Sequence, residues 1–145
     1  MRSIIAVCTL TALFATLPAQ ARDTEYKLPI QDITNMADYQ DKIGTEVRFF
    51  FGDQKTPAIE QRLGEYTTNK KTNAFNKSDE EACRWVMLSA LVSLKEKALQ
   101  LGGNAVVSIK SYYKKDEFSS STEYECHAGA LMSGVALKGT VVKLK

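Results

Sequence analysis

The sequence is poor in the side chains that usually carry redox or metal chemistry. It contains three cysteines and a single histidine among 145 residues, and no two cysteines form a C-x-x-C pair. The dithiol motif of redox enzymes is therefore absent. Acidic and basic residues nearly balance, with a formal net charge of +2, so the clearly basic surface of a nucleic-acid-binding domain is also missing. We predict no nucleic-acid partner.

The sequence also lacks an apolar run long enough to span a membrane. A shorter apolar run near the N-terminus has the pattern of a signal peptide. Met1-Arg2 precedes an apolar run from Ile4 to Leu17, and Pro18-Ala19-Gln20-Ala21 ends in the small-residue pattern of a cleavage site. The run is shorter than the roughly 20 residues that span a bilayer. Cys8 follows Val7 early in this run, which argues against lipidation. We predict cleavage between Ala21 and Arg22 and a periplasmic protein with no membrane anchor.

Loss of the signal peptide would remove Cys8 and leave two cysteines, Cys83 and Cys126. An even number of cysteines in an oxidising compartment favours one disulfide. The alternatives are two unpaired core thiols, a thiol site, or a metal site that adds His127. A structural zinc site needs four ligands, and only Glu123 or Glu125 could supply the fourth. Neighbouring strand residues point to opposite faces, so Cys126 and His127 reach one ligand only if the strand bulges.

The clearest local element is a long amphipathic helix, which we predict over residues 78–101. Ser78-Asp79-Glu80-Glu81 has the pattern of a capping box, and Gly102-Gly103 ends the helix. Apolar residues recur every three or four positions, as one buried face of a helix requires. This stripe consists of Cys83, Met87, Ala90, Leu94, Ala98 and Leu101.

Strand patterns lie on both sides of this helix. We predict strands at 45–51, 104–113, 122–132 and 135–144, a polar edge strand or loop at 65–72, and a short helix at 58–63. Residues 22–44 read as an extended N-terminal arm with room for one helical turn, and 45–145 as a single domain. This order predicts an α+β fold, a mostly antiparallel sheet with one long helix packed on one face.

Two glycines, Gly129 and Gly134, have the spacing of the glycines in a phosphate-binding loop. Val135-Ala136 follows them, where such a loop has lysine and a Ser/Thr ligand for magnesium. Lys138-Gly139-Thr140 has suitable residue types in the wrong order. We therefore predict no nucleotide or other cofactor and no ATP hydrolysis.

The segment Gly102-Gly103-Asn104-Ala105-Val106-Val107 resembles the G-A-N-A-V-V signature of YbjQ-like domains, which also follows an amphipathic helix and precedes a strand. Residues 134–142 are similar in kind to the strand that closes the sheet in that family. Residues 126–130 and 133–137 resemble the last strands of the envelope-stress lipoprotein of the Rcs pathway, in which disulfides pin helix and strands. This sequence lacks the lipidation cysteine, the second disulfide and the proline-rich linker of that lipoprotein.

Residues 78–85 and 124–127 resemble the S-D-E-E-A-C-R-W and Y-E-C-H motifs of small secreted proteobacterial proteins. Those proteins often carry the name excinuclease ATPase subunit, which the missing nucleotide site and the signal peptide contradict. The sequence favours a non-enzymatic binding or interaction module with one disulfide, acting on an unknown envelope protein or a small ligand. The alternatives are a thiol or metal site built on Cys83, Cys126 and His127, and a ring-forming homo-oligomer, which the resemblance to YbjQ-like domains implies.

Overall fold

The computed structural model describes residues 21–145, so the signal-peptide pattern of residues 1–20 lies outside the described part. The described chain has six strands and three α-helices. In chain order they are β1 Thr24–Pro29, α1 Gln31–Thr34, α2 Ala37–Ile43, β2 Arg48–Phe51, β3 Ile59–Asn73, α3 Asp79–Gln100, β4 Ala105–Ser111, β5 Glu123–Ala128 and β6 Met132–Leu144. None of the helices in residues 21–145 has both the length and the apolar content to cross a membrane.

All six strands belong to one mixed sheet in which β6 is the central strand. On one edge β6 pairs with β3 along its whole length, from Met132 opposite Asn73 to Leu144 opposite Ile59. On the other edge it pairs first with β5 and then with β4. β1 adds antiparallel to β5, and β2 adds parallel to β4. Because two strands share one edge of β6, the sheet curls, and its concave side faces α3.

The long helix lies where the sequence predicts it, and it packs on the sheet. The Ser78 hydroxyl accepts a hydrogen bond from the Glu81 amide at 3.1 Å, which caps the first turn. The predicted stripe is buried from Cys83 to Ala98, and four further side chains widen it into a broad apolar face: Ala82, Val86, Leu88 and Leu91. The α+β class and the single long helix on the sheet are thus confirmed.

Two parts of the chain hold more strand structure than the sequence predicts. The short helix predicted at 58–63 is wrong, because β3 already begins at Ile59 and runs without a break to Asn73. β6 offers an apolar partner of matching length, and pairing with it overrides the weak local pattern of these polar residues. Register shifts near Gln61 and Gly64 show where the strand adjusts to its partner.

The predicted N-terminal arm contributes to the core. It forms β1, α1 and α2, and Ile30, Ile33 and Ile43 are buried against α3 and the sheet. β1 covers the outer edge of β5 over all of its residues, from Thr24 opposite Ala128 to Pro29 opposite Glu123. This pairing places the charged residues of β1 beside His127.

Candidate functional site

The two cysteines form a disulfide inside the core. Cys83 lies near the start of α3 and Cys126 in the middle of β5, with Cα atoms 5.9 Å apart and both residues fully buried. The bridge therefore joins the helix to the sheet, as the sequence predicts. Because each sulfur is bonded to the other, neither offers a thiolate to a substrate or a metal in this state.

His127 lies on the opposite face of β5 from the disulfide. Tyr124, Cys126 and Ala128 point into the core, whereas Glu125 and His127 point outward between β1 and the loop that contains Tyr113. The strand does not bulge here, since its register with β1 is continuous. The structure therefore does not bring Cys83, Cys126 and His127 together into one site.

Instead, His127 belongs to a row of charged side chains on the outer face of the β1–β5 pair, which we call the polar ladder: Asp23, Glu25, Lys27, Glu125 and His127. Glu25 lies opposite His127 and Lys27 opposite Glu125 in the register. His127 Nε2 lies 2.8 Å from Glu125 Oε1, and Nδ1 lies 2.9 Å from Asp23 Oδ1. Lys27 Nζ donates to both Glu25 and Glu125 at 2.5 Å. Each member is thus hydrogen-bonded to another.

The hydrogen bonds of the polar ladder favour the charged forms of Asp23, Lys27 and Glu125. Burial raises the pKa of Glu125, but hydrogen bonds with Lys27 and His127 outweigh it and the pKa falls below its usual range. Burial lowers the pKa of Lys27, but its hydrogen bonds to Glu125 and Glu25 outweigh that effect, and the pKa lies above its usual value. Lys114, and then His127, lower the pKa of Asp23 by hydrogen bonding. The ladder therefore consists of compensating charges that tie β1 to β5.

Glu25, Glu125 and His127 could also supply three metal ligands, because their ligand atoms lie within 4.8 Å of one another. Asp23 holds the other imidazole nitrogen, as a carboxylate often does behind a metal-binding histidine. However, the Lys27 ammonium bridges the two glutamates and already supplies the positive charge that a cation would bring. Glu123 lies at the far end of β5, opposite Pro29. We therefore assign this cluster a structural role.

A cleft with a volume of about 360 Å³ opens beside His127. Its walls are formed by the segment 21–23, by Tyr113 and Lys71, and by the segment 129–134, which comprises the turn after β5 and the first residues of β6. The Tyr113 ring stacks on the imidazole of His127, with ring centroids 3.6 Å apart. Because the turn leads into a strand and not into a helix, the two glycines of the 129–134 segment do not form a phosphate-binding loop.

Apolar side chains are exposed at the rim of this cleft. Leu131 is 63% exposed and Met132 is 48% exposed, and both line the cleft. The Ala74 amide donates to the Leu131 carbonyl at 2.8 Å, which holds the loop with Phe75 beside the turn. Phe75 is itself 61% exposed. Large apolar side chains exposed together around a concavity are typical of a binding surface.

The predicted cleavage site lies at the edge of the same cleft. Ala21 and Arg22 both line it, and the Arg22 guanidinium donates to both carboxylate oxygens of Asp79, at 2.7 and 3.1 Å. Arg22 also donates to the Gly129 carbonyl at 2.9 Å, and the Tyr26 hydroxyl donates to Asp79 at 2.8 Å. These contacts fasten the start of the described chain to the first turn of α3.

We expect Asp79 to make the protein less stable in acid. Hydrogen bonds from Arg22 and then Tyr26 lower the pKa of Asp79 in the folded state. A lowered carboxyl pKa contributes stability that is fully present above the unfolded pKa of about 3.9 and is lost as the pH falls through the folded value. The stability difference between the wild type and Asp79→Asn should therefore be constant near neutral pH and shrink below about pH 4, as measured by urea unfolding.

Asp116→Asn serves as the matched control, because Asp116 is an exposed aspartate away from α3. It should leave the acid dependence of unfolding unchanged. If the difference in the free energy of unfolding between the wild type and Asp79→Asn were the same in acid as at neutral pH, the ionised Asp79 carboxylate would not stabilise the fold through Arg22.

No protein-family model matches the chain, and neither does any curated protein sequence. The site is therefore defined by geometry. Sequence analysis singled out Cys83, Cys126 and His127, of which the structure pairs the cysteines and places the histidine beside the cleft. It gave Arg22 only as the first residue after the predicted cleavage site, and it did not identify Tyr113 as a site residue. Arg22 reaches the cleft through the pairing of β1 with β5, and Tyr113 through the hydrogen bond of the Tyr112 amide to Ala136 of β6. A local sequence pattern does not reveal these long-range contacts.

Proposed function

We propose that the protein is an exported, non-enzymatic binding module with a YbjQ-like fold, and that it binds its ligand in the cleft beside His127. The observation that carries the proposal is the cleft itself, with Leu131 and Met132 exposed on its rim and the stacked Tyr113–His127 pair in its wall. Binding sites of small molecules are commonly concave, mostly apolar and largely preformed.

Export to the periplasm is supported by two independent features. Disulfides form and persist in oxidising compartments, and Cys83 and Cys126 are joined. The signal-peptide pattern ends at Ala21, directly before the arginine that is fastened to Asp79. Cleavage at this point would leave the contacts of Arg22 with α3 in place.

A binding role is favoured over a catalytic one by the state of the polar ladder. Asp23 and Glu125 are each hydrogen-bonded to one ring nitrogen of His127, so the imidazole is held from both sides. A general base needs to be within hydrogen-bond reach of a substrate proton. The ladder instead presents a fixed imidazole, already covered on one face by the Tyr113 ring, to the cleft.

The chemistry of the rim indicates the kind of ligand. Leu131 and Met132 offer aliphatic and thioether surface, and Tyr113 offers an aromatic ring. A small ligand with a compact apolar or aromatic group would bury these surfaces and gain the corresponding hydrophobic free energy. The volume of the cleft lies at the lower end of the range that is usual for small-molecule sites.

The proposal is tested with 1-anilinonaphthalene-8-sulfonate, an aromatic probe of suitable size. Titration followed by amide chemical shifts should perturb residues 129–134 and Tyr113. Leu131→Ser should weaken probe binding about tenfold, because a leucine contact of this kind is worth one to a few kcal/mol. Leu99→Ser is the matched control, since Leu99 is an exposed leucine on α3, 42% exposed and outside the cleft.

Shift changes spread over the whole protein, or equal losses of affinity in both serine variants, would contradict a site in this cleft. Native-like spectra of both variants without the probe ensure that the comparison reports binding and not unfolding. Because this readout concerns the cleft alone, it is independent of the association of chains considered next.

A further inference from the structure

β3 is a long edge strand with one side unpaired. It pairs with β6 from Ile59 to Asn73, and within residues 21–145 no strand lies along its other side. The other two edge strands are protected in the usual ways. β2 has four residues, and β1 has six and ends at Pro29. β3, with fifteen residues and no proline, is the edge best suited to pairing with another chain.

The side chains of β3 alternate regularly between the two faces of the sheet from Gly64 to Asn73. Tyr66, Thr68 and Lys70 are half-buried on the side of α3. Glu65, Thr67, Asn69, Lys71 and Asn73 are exposed on the other side. This segment has three charged residues, and the only opposite charges that share a face are Glu65 and Lys71.

We propose that two copies of this chain associate through β3, antiparallel, about a two-fold axis at Thr68. A two-fold axis perpendicular to the sheet keeps each face continuous, so residues that lie opposite each other must share a face. With Thr68 opposite Thr68 of the second copy, Glu65 lies opposite Lys71. The symmetry produces this ion pair twice, and the paired segment extends from Gly64 to Thr72.

The charges of the segment disfavour the other two-fold registers. Within its own chain Glu65 contacts the Lys138 ammonium at 3.2 Å, and an axis at Thr67 or Asn69 adds no cation from the second copy, because Glu65 then lies opposite an asparagine. An axis at Glu65 places it opposite itself, and an axis at Lys70 or Lys71 does the same with lysine. Like charges directly opposite in a ladder are destabilising, whereas opposite charges there are stabilising. The edge therefore specifies one pairing.

The geometry limits the assembly to two copies. Main-chain hydrogen bonds along the added strand supply affinity, as in other cases of β-strand addition. Because the same edge is used by both copies, the contact is closed and leaves no second β3 edge for a third chain. Lys71 also lines the cleft beside His127, so the proposed interface adjoins one wall of that cleft.

Light scattering coupled to size-exclusion chromatography tests the proposal with the oxidised protein at low ionic strength. The wild type should elute with twice the mass of one chain. Glu65→Lys places lysine opposite Lys71, and Lys71→Glu places glutamate opposite Glu65, so each variant alone should be a monomer. Mixing the two variants should restore the double mass, because both cross-axis pairs are then of opposite sign.

Two matched variants, Glu60→Lys and Lys55→Glu, make the same charge changes at exposed positions outside the paired segment and should stay dimeric. A monomeric wild type, a mass above two chains, or single variants that remain dimeric would each overturn the proposal. Failure of the mixed variants to associate would also overturn it, even if each single variant were monomeric. Because Lys71 also lines the cleft, probe binding is measured on the wild type and the two serine variants, which keep Lys71, so that the two proposals can fail separately.

Discussion

Replacing Cys83 and Cys126 together by alanine should destabilise the protein by about 4 kcal/mol. The bridge spans 43 residues of sequence, and the loop-entropy model gives a stabilisation of this size for a closed loop of that length. Both residues are fully buried, so removal of the sulfurs also leaves space in the core next to α3. For a domain of this size the loss is a large share of the total stability.

Urea unfolding of the oxidised wild type and of the double variant measures this difference directly. Reduced wild type is the internal control and should unfold close to the double variant. An unchanged midpoint after reduction would contradict the role given to the bridge. The intact mass of protein recovered from a periplasmic fraction should lie two hydrogen masses below that of the reduced form. It should also correspond to a chain that starts at Arg22.

Gly103→Ala should destabilise the protein by about 3 kcal/mol, at the upper end of the range for overpacked positions. A Cβ at this position would lie 2.6 Å from Val141 Cγ1 and 2.9 Å from the Val142 carbonyl oxygen. The carbonyl belongs to the central strand β6 and accepts a hydrogen bond from the Asn104 amide, so it cannot easily move away. The start of β4 would have to separate from β6.

Gly102→Ala is the matched control, since the two glycines are adjacent but serve different purposes. Gly102 has a φ of +76° and no atom within 4 Å of an added Cβ. Its substitution costs only the left-handed conformation, about 1–2 kcal/mol. In thermal unfolding, the midpoint temperature of Gly103→Ala should lie well below that of Gly102→Ala. The reverse order would show that the left-handed backbone of Gly102, and not the close packing at Gly103, is the reason for glycine at this helix end.

The parts of the fold that local sequence determines are the parts that could be predicted. The cap at Ser78, the apolar stripe and the two terminal glycines all lie within one segment, so α3 was predictable almost to the residue. The alternation of side chains in β5 likewise put Cys126 and His127 on opposite faces. The disulfide was favoured over a thiol or metal site because two cysteines remain after the predicted signal peptide.

The parts that depend on distant pairing could not be predicted. β3 is polar, and only the long partner β6 shows that it forms a strand of fifteen residues. The cleft combines the segment 21–23 with Tyr113 and the segment 129–134, which are brought together by the pairing of β1 with β5 and by contacts of β6. No spacing or composition rule connects these segments, so the site could be found only once the strand order was known.

The central strand β6 is also the last one to be synthesised. The five other strands and α3 depend on its contacts, either directly or through β4 and β5, yet it occupies residues 132–144. Pairing of distant segments makes folding slow, and a sheet without its middle strand has no continuous core. We therefore expect the sheet to form only after β6 has been synthesised. The proposed export would benefit from that delay, because an unfolded polypeptide can pass through a narrow translocation channel.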